Sequence, residues 1–188
     1  MRKARVLVTQ KCNRNCDGCC NKSNILDSMK VIKSIDELLP YDEIMITGGE
    51  PTLVRDKVIT LFEQLKERYY MGNRLIYSAT YDEDFYSKLI PIIDGLHFTL
   101  HYEATDKDVR DLRDLSLFLK DYLSRKTNVS ENYKSFRVNI DKRLYERYDF
   151  SNIDFSPWGS VRKMEWIKDC PLPNQEELLY LDIEKLFK

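Results

Sequence analysis

The chain has 188 residues, 43% apolar and 32% charged, with Lys plus Arg (30) almost matched by Asp plus Glu (31). The formal net charge of −1 lacks the basic excess of a typical nucleic-acid binder, so nucleic acid is not an expected partner. No apolar run approaches the ~20 residues of a membrane span, and Val6-Leu7-Val8 falls far short of a signal-peptide core, which points to a cytoplasmic chain without a membrane partner. At ~30 residues per βα unit there is room for about six units, but not for a full eight-unit barrel of ~250 residues.

The first strand is expected over residues 4–9, with a cysteine-rich loop directly after it. A helix is read over 28–39, stopped by Pro40, on the stripe Met29, Val31 or Ile32, Ile35 and Leu38 or Leu39. A second strand over 43–47 runs into Gly48-Gly49-Glu50-Pro51, and Val54, Val58, Leu61, Phe62 and Leu65 then fall at helical spacing up to Tyr70. A third strand over 74–78 and a helix over 82–90, stopped by Pro91, precede a fourth strand over 95–102. Thr105 and Asp108 form a capping pair for a helix that runs to about Arg125. A fifth strand is expected over 135–141 and a short helix over 142–148. The sixth strand is read at 152–155 or, preferably, at 161–167.

Asn174 with Glu177 opens a final helix over 174–188, whose stripe of Leu178 or Leu179, Ile183, Leu186 and Phe187 is expected to complete the core. No linker or repeat interrupts residues 1–188, which are read as one domain. Strands alternating with helices imply an α/β fold of parallel strands with right-handed crossovers, here a partial open barrel of the (βα)6 type. Its ligand site would lie at the carboxyl ends of the strands.

Cys12, Cys16, Cys19 and Cys20 crowd the first loop, and Cys170 stands alone. A cluster on one loop does not staple distant segments, so it reads as a metal or redox centre. Cys12-Asn13-Arg14-Asn15-Cys16-Asp17-Gly18-Cys19 has the spacing CxxxCxxC, and three thiolates on one tight loop suit three irons of a cubane, leaving the fourth without a protein ligand. The loop resembles the signature of the radical S-adenosylmethionine (SAM) enzymes. Gly48-Gly49-Glu50-Pro51 resembles the GGE motif that holds the SAM methionine amino group in that superfamily. A carboxylate suits an ammonium group, and glycines permit close backbone approach.

The resemblance implies a [4Fe-4S] cluster on Cys12, Cys16 and Cys19, with SAM held at Gly48, Gly49 and Glu50. It also implies reductive cleavage of SAM to a 5′-deoxyadenosyl radical, and an external low-potential electron donor. Locally, Gly18-Cys19-Cys20-Asn21-Lys22-Ser23 is similar to the loop of the small activases of anaerobic ribonucleotide reductase, although Cys20 stands where those have an aromatic residue. Two substrate classes follow for an oxidoreductase of this kind. One is a small molecule, nucleotide or peptide held in the barrel mouth, which is preferred; the other is a glycyl radical enzyme activated as a partner. A non-catalytic Fe-S or zinc module is the reading from another class, although adjacent Cys19 and Cys20 fit poorly on one zinc ion. Cys20 and Cys170 are read as structural.

In the fourth strand Leu96, Phe98 and Leu100 alternate with His97, Thr99 and His101, and in the fifth Phe136, Val138 and Ile140 alternate with Arg137, Asn139 and Asp141. The apolar sets should pack under helices, so the polar sets should line the inside. His101 and Asn139 are therefore candidate catalytic residues, and Ser78 a candidate cofactor-binding residue. The basic residues Lys142, Arg143 and Arg147, diluted by acids, are read as a solvated face.

Overall fold

A computed structural model describes residues 1–17, 19, 29–125, 134–166 and 175–187. Its strands are β1 (Lys3–Leu7), β2 (Lys30–Ile32), β3 (Glu43–Thr47), β4 (Asn73–Ser78), β5 (Gly95–Leu100), β6 (Ser135–Asp141), β7 (Ser160–Met164) and β8 (Glu176–Leu181). They form one open sheet in the order β2-β8-β1-β3-β4-β5-β6-β7, with parallel pairing throughout. The helices are α1 (Arg55–Glu67), α2 (Glu83–Leu89), α3 (Asp106–Ser124) and the single turn α4 (Ile183–Leu186). The architecture is α/β, as the alternation predicts. No helix among the described residues is long and apolar enough to cross a membrane.

Parity divides the sheet. Ala4, Val6, Ile44, Ile46, Ile76, Leu96, Phe98 and Val138 join Val58, Leu61, Phe62, Leu65, Leu112 and Leu115 of α1 and α3 in one core. A side chain at every second strand position and one at every third or fourth helix position can meet only on one side of the sheet. The other face carries Arg5, His97, Arg137, Asn139 and Arg162. Leu7, Met45 and Leu75 also belong to that face by register, and they are buried although they lie outside the helix-side core. Such burial suits the inner side of a curved, partly closed sheet.

Two expected helices are strands instead. The segment read as a helix over 28–39 contains β2 and a short 3-10 turn, Ile35–Leu38, started by Ser34 through its side chain on the Asp36 N–H. The segment read as a helix over 174–188 is β8, followed by the α4 turn, while Asn174 lies outside the described residues. Both segments carry an apolar set that fits either period over so short a run. Buried Leu179 and Leu181 alternate with half-buried Leu178 and Tyr180, and β8 enters the sheet between β1 and β2. The backbone partners that decide the outcome lie more than a hundred residues away in sequence.

The sheet consequently has eight strands and not six. The sixth expected strand is β7, at the preferred of its two positions, and it forms an exposed edge. The short helix expected after β6 is a 3-10 turn, Lys142–Glu146, capped by the Asp141 carboxylate on the Arg143 N–H.

Because β2 joins the sheet only through β8, the inward side chains of β8 should matter more than their place near the end of the chain suggests. Leu179 is 1% exposed. Leu179→Ala is expected to lower unfolding free energy by about 2–5 kcal/mol in chemical denaturation, whereas a loss below ~0.5 kcal/mol would show that the strand is not seated in the sheet.

Candidate functional site

β1 and β3 are neighbours, so the loops that follow them start side by side. The ladder continues beyond the strands: Val8 N–H donates to Thr47 O (3.0 Å), Gly49 N–H to Thr9 O (2.7 Å) and Glu50 N–H to Lys11 O (2.8 Å). The glycine motif therefore lies on the backbone leading into Cys12. A Cβ on Gly48 would sit 2.6 Å from Thr9 O, and one on Gly49 would sit 1.9 Å from Lys11 O. Gly48 also has φ +140°, a conformation that side chains rarely adopt. The sequence suggests that these glycines admit a ligand; the close approach that demands them is to the cysteine loop.

Cys12 is exposed, Cys16 buried and Cys19 half-buried, all three as free thiols. Arg14 N–H donates to Cys12 Sγ (3.4 Å) and Cys19 N–H to Cys16 O (3.4 Å). Burial raises the thiols of Cys12 and Cys16, the latter to about 11, with the nearby Glu103 carboxylate adding to the rise at Cys16. Among the described residues no three His, Cys, Asp or Glu side chains converge on a single ion. A cubane would instead take its thiolates at separate irons. Gly18, Cys20 and Cys170 lie outside the described residues.

Arg14, inside the cysteine motif, anchors the loop. Its guanidinium makes two bonds to the Asp108 carboxylate (Nη2 to Oδ1 2.5 Å, Nη1 to Oδ2 3.3 Å) and one to Ala79 O (2.7 Å), with both side chains 11% exposed. Asp108 also accepts from the Thr105 N–H (2.7 Å), so one carboxylate caps α3 and holds the loop. Asp17 N–H donates to Glu103 Oε1 (2.6 Å). Arg14, Glu103, Thr105 and Asp108, with Thr52, Thr80 and Tyr81, line a cavity of about 520 Å³. Composition and periodicity carry no signal for Arg14, because its partners are reached only through the fold.

Glu50 is 1% exposed and caps the turn Pro51–Val54. Its Oε1 accepts from Thr52 N–H (3.1 Å), Thr52 Oγ1 (3.1 Å) and Ser78 Oγ (2.8 Å), and its Oε2 from Ala79 N–H (3.0 Å). A carboxylate offers about four acceptor positions; here three donors crowd one oxygen, and the other has room for one more. Glu50 thus ties the end of β3 to the end of β4, a structural task that its motif role does not reveal. Ser78 is part of this knot. It is in register with Phe98 of the helix-side core, so it faces away from the polar set that the sequence expects it to join.

That polar set is otherwise assembled as expected. His97 is paired with Arg137 and Thr99 with Asn139 across β5 and β6. His101 follows β5, with its ring 4.5 Å from that of Trp166. Asn139 is 8% exposed, while Asp141 is fully buried and engaged by Arg143 (2.6 and 2.8 Å). No protein-family model and no curated protein matches this chain.

Two tests follow. Glu50→Gln puts a donor amide among four donors and is expected to cost about 1–3 kcal/mol in thermal or chemical unfolding, with or without iron. His97 and His101 both have pKa values lowered to about 4, chiefly by burial, against about 6.5 unfolded. Between pH 6.5 and 4 the unfolded chain binds more protons, so stability is complete above 6.5 and falls as the pH falls through this window. Unfolding at pH 7 and pH 5 should differ by about 1–2 kcal/mol per histidine, and the difference should shrink in His97→Gln and His101→Gln.

Proposed function

We propose that this chain is a radical SAM enzyme acting on a small-molecule, nucleotide or peptide substrate held at the mouth of the open sheet. The observation that supports this reading is the abutment of the two motifs. The Gly48-Gly49-Glu50 segment is hydrogen-bonded to Thr9 and Lys11, immediately ahead of Cys12. The glycine motif, which begins 36 positions after Cys12, thus shares one end of the sheet with the cysteine motif, where parallel α/β folds keep their ligand sites.

The donor set fits the cofactor pair. Cys12, Cys16 and Cys19 would supply three thiolates from one loop, held by Arg14 on Asp108 and by Asp17 on Glu103. Gly48, Gly49 and Glu50 would hold the methionine end of SAM, with Glu50 Oε2, which accepts one hydrogen bond here, as the acceptor for its ammonium. Glu50 also lies near enough to Cys12 to raise its thiol. When bound, a [4Fe-4S] cluster with SAM supplies a 5′-deoxyadenosyl radical that takes a hydrogen atom from the substrate. The chain's own part is to orient the substrate and exclude water, with His101 and Asn139 nearest the mouth as candidates for contact. A low-potential donor must deliver the electron from outside. The likeness to glycyl-radical activases rests on residues 18–23, of which only Cys19 is described, so the preference for a directly bound substrate rests on Thr99 and His101, which depart from the acidic and basic residues that activases often present on that strand.

Anaerobic reconstitution with iron and sulfide is expected to give a [4Fe-4S] spectrum and SAM-dependent release of 5′-deoxyadenosine under reduction. Cys16→Ala should abolish both. A chain that binds zinc and leaves SAM intact overturns the proposal. Because Glu50 supports the fold, loss of function in Glu50→Ala does not by itself assign it to SAM; the cysteine variants are the cleaner test.

A further inference from the structure

On the face of the sheet away from α1 and α3, part of the positive charge has no counter-charge among the described residues. Lys3 and Arg5 are paired there with Glu43 (3.0 Å) and Glu176 (2.8 Å). Arg137 and Arg162 have no carboxylate within ion-pair distance among the described residues, and Arg162 makes only a 3.3 Å bond from Nε to Ser160 Oγ. Asp141, on the same side of β6, is already occupied by Arg143. Two unsatisfied side chains accompany them: His97 Nε2 and Thr99 Oγ1 are buried without a hydrogen-bond partner.

Register places these groups together. His97, Arg137 and Ser160 form one row across β5, β6 and β7, and Thr99, Asn139 and Arg162 form the next row toward the cysteine loop. With strands ~4.8 Å apart and ~6.6 Å between rows, Arg137 and Arg162 start on the order of 8 Å apart on the diagonal, a distance two guanidinium arms can close onto one small group. We propose that this face binds an oxyanion of the substrate, a phosphate or carboxylate, through Arg137 and Arg162, with His97 and Asn139 beside them.

The chemistry selects the ligand class. Guanidinium forks match the planar or tetrahedral oxygens of carboxylate and phosphate, and hydrogen bonds from ionised donors are the strong ones. Arg137, Arg162, Arg5 and Lys3 all act on His97, and with burial they hold its imidazole neutral at pH 7. A neutral imidazole, an amide and two guanidiniums together offer several donors and a net charge of +2. An apolar or cationic ligand would leave the half-buried Arg137 and the buried His97 Nε2 and Thr99 Oγ1 unpaired, at a cost for each. That the anion belongs to the substrate rests on the radical SAM reading; the binding of an anion does not.

The test is a titration of the full-length chain with inorganic phosphate and with pyrophosphate, followed by calorimetry and by the resonances of 13C-labelled histidine. The chain has only two histidines, so His97 and His101 are resolved by single substitution. Saturable binding is expected, with a displaced His97 resonance and a raised His97 pKa once the cations are neutralised. Arg137→Gln and Arg162→Gln should each weaken binding tenfold or more. Arg110→Gln, the same charge change on the exposed side of α3, should leave it unaltered. Arg162 is exposed, so its variant keeps the fold even if that of Arg137 does not. Absence of saturable binding, or equal binding by wild type and Arg162→Gln, overturns the site. Stoichiometric displacement of phosphate by SAM overturns the assignment to substrate, since the anion held would then be the cofactor's own carboxylate. These results are independent of iron content and 5′-deoxyadenosine release, so the two proposals fail separately.

Discussion

Two side chains that end at Cα allow the end of β3 to lie directly on the backbone that leads to Cys12. With Cβ contacts of 1.9 and 2.6 Å to carbonyl oxygens, any larger residue at Gly49 or Gly48 would push the two loops apart. The hydrogen bonds from Gly49 and Glu50 to Thr9 and Lys11 would be lost with them. Once the backbones are joined, Glu50 is carried inward to where Thr52, Ser78 and Ala79 converge, and its carboxylate gathers their donors. A buried ionised group is tolerable only when so surrounded, and the same bonds fix β4 relative to β3. The cysteine loop, the glycine motif and the ends of three strands are thereby one unit.

A second anchor acts from the far side. Arg14 reaches from within the cysteine motif to Asp108, the capping-box partner of Thr105 in the first turn of α3, and to Ala79 at the end of β4. Because the pair is nearly buried, removing either partner would leave a charge without compensation, which is far more costly than the pair is stabilising. The loop that carries Cys12 and Cys16 is therefore held by charge on one side and by backbone on the other. The two faces of the sheet divide their tasks: the helix side is apolar and supplies stability, while the open side concentrates Arg137, Arg162, His97 and Asn139, whose polarity contributes little to a core.

Much of this was legible in the residues. Strand alternation in Leu96-His97-Phe98-Thr99-Leu100 and in Phe136-Arg137-Val138-Asn139-Ile140 placed the two faces correctly, because period two leaves no other assignment once one face is apolar. β3 and β6 matched at both ends, and α1 and α3 followed from long apolar stripes and a capping pair. The failures share one cause. At 28–39 and 174–188 short apolar runs suited a helix and a strand equally, and the choice fell to β1 and β8, partners remote in sequence. Ser78 was expected on the polar face, but it shares the parity of Ile76 and faces the helix-side core, and the pull of Glu50 is invisible in the alternation of β4.

By itself the sequence determined the α/β class, the polar and apolar faces of the central strands, and the spacing of a cysteine motif and a glycine motif, since periodicity and spacing are local properties of the chain. Only the tertiary structure decided that the last strand enters between β1 and β2, that the glycines are required by contact with the cysteine loop, and that Arg14, Asp108 and Glu50 hold that loop in place. Each of these depends on backbone donors and acceptors or on charges brought together from distant positions. Such pairings are set by the closing of the sheet, and no window of neighbouring residues contains them.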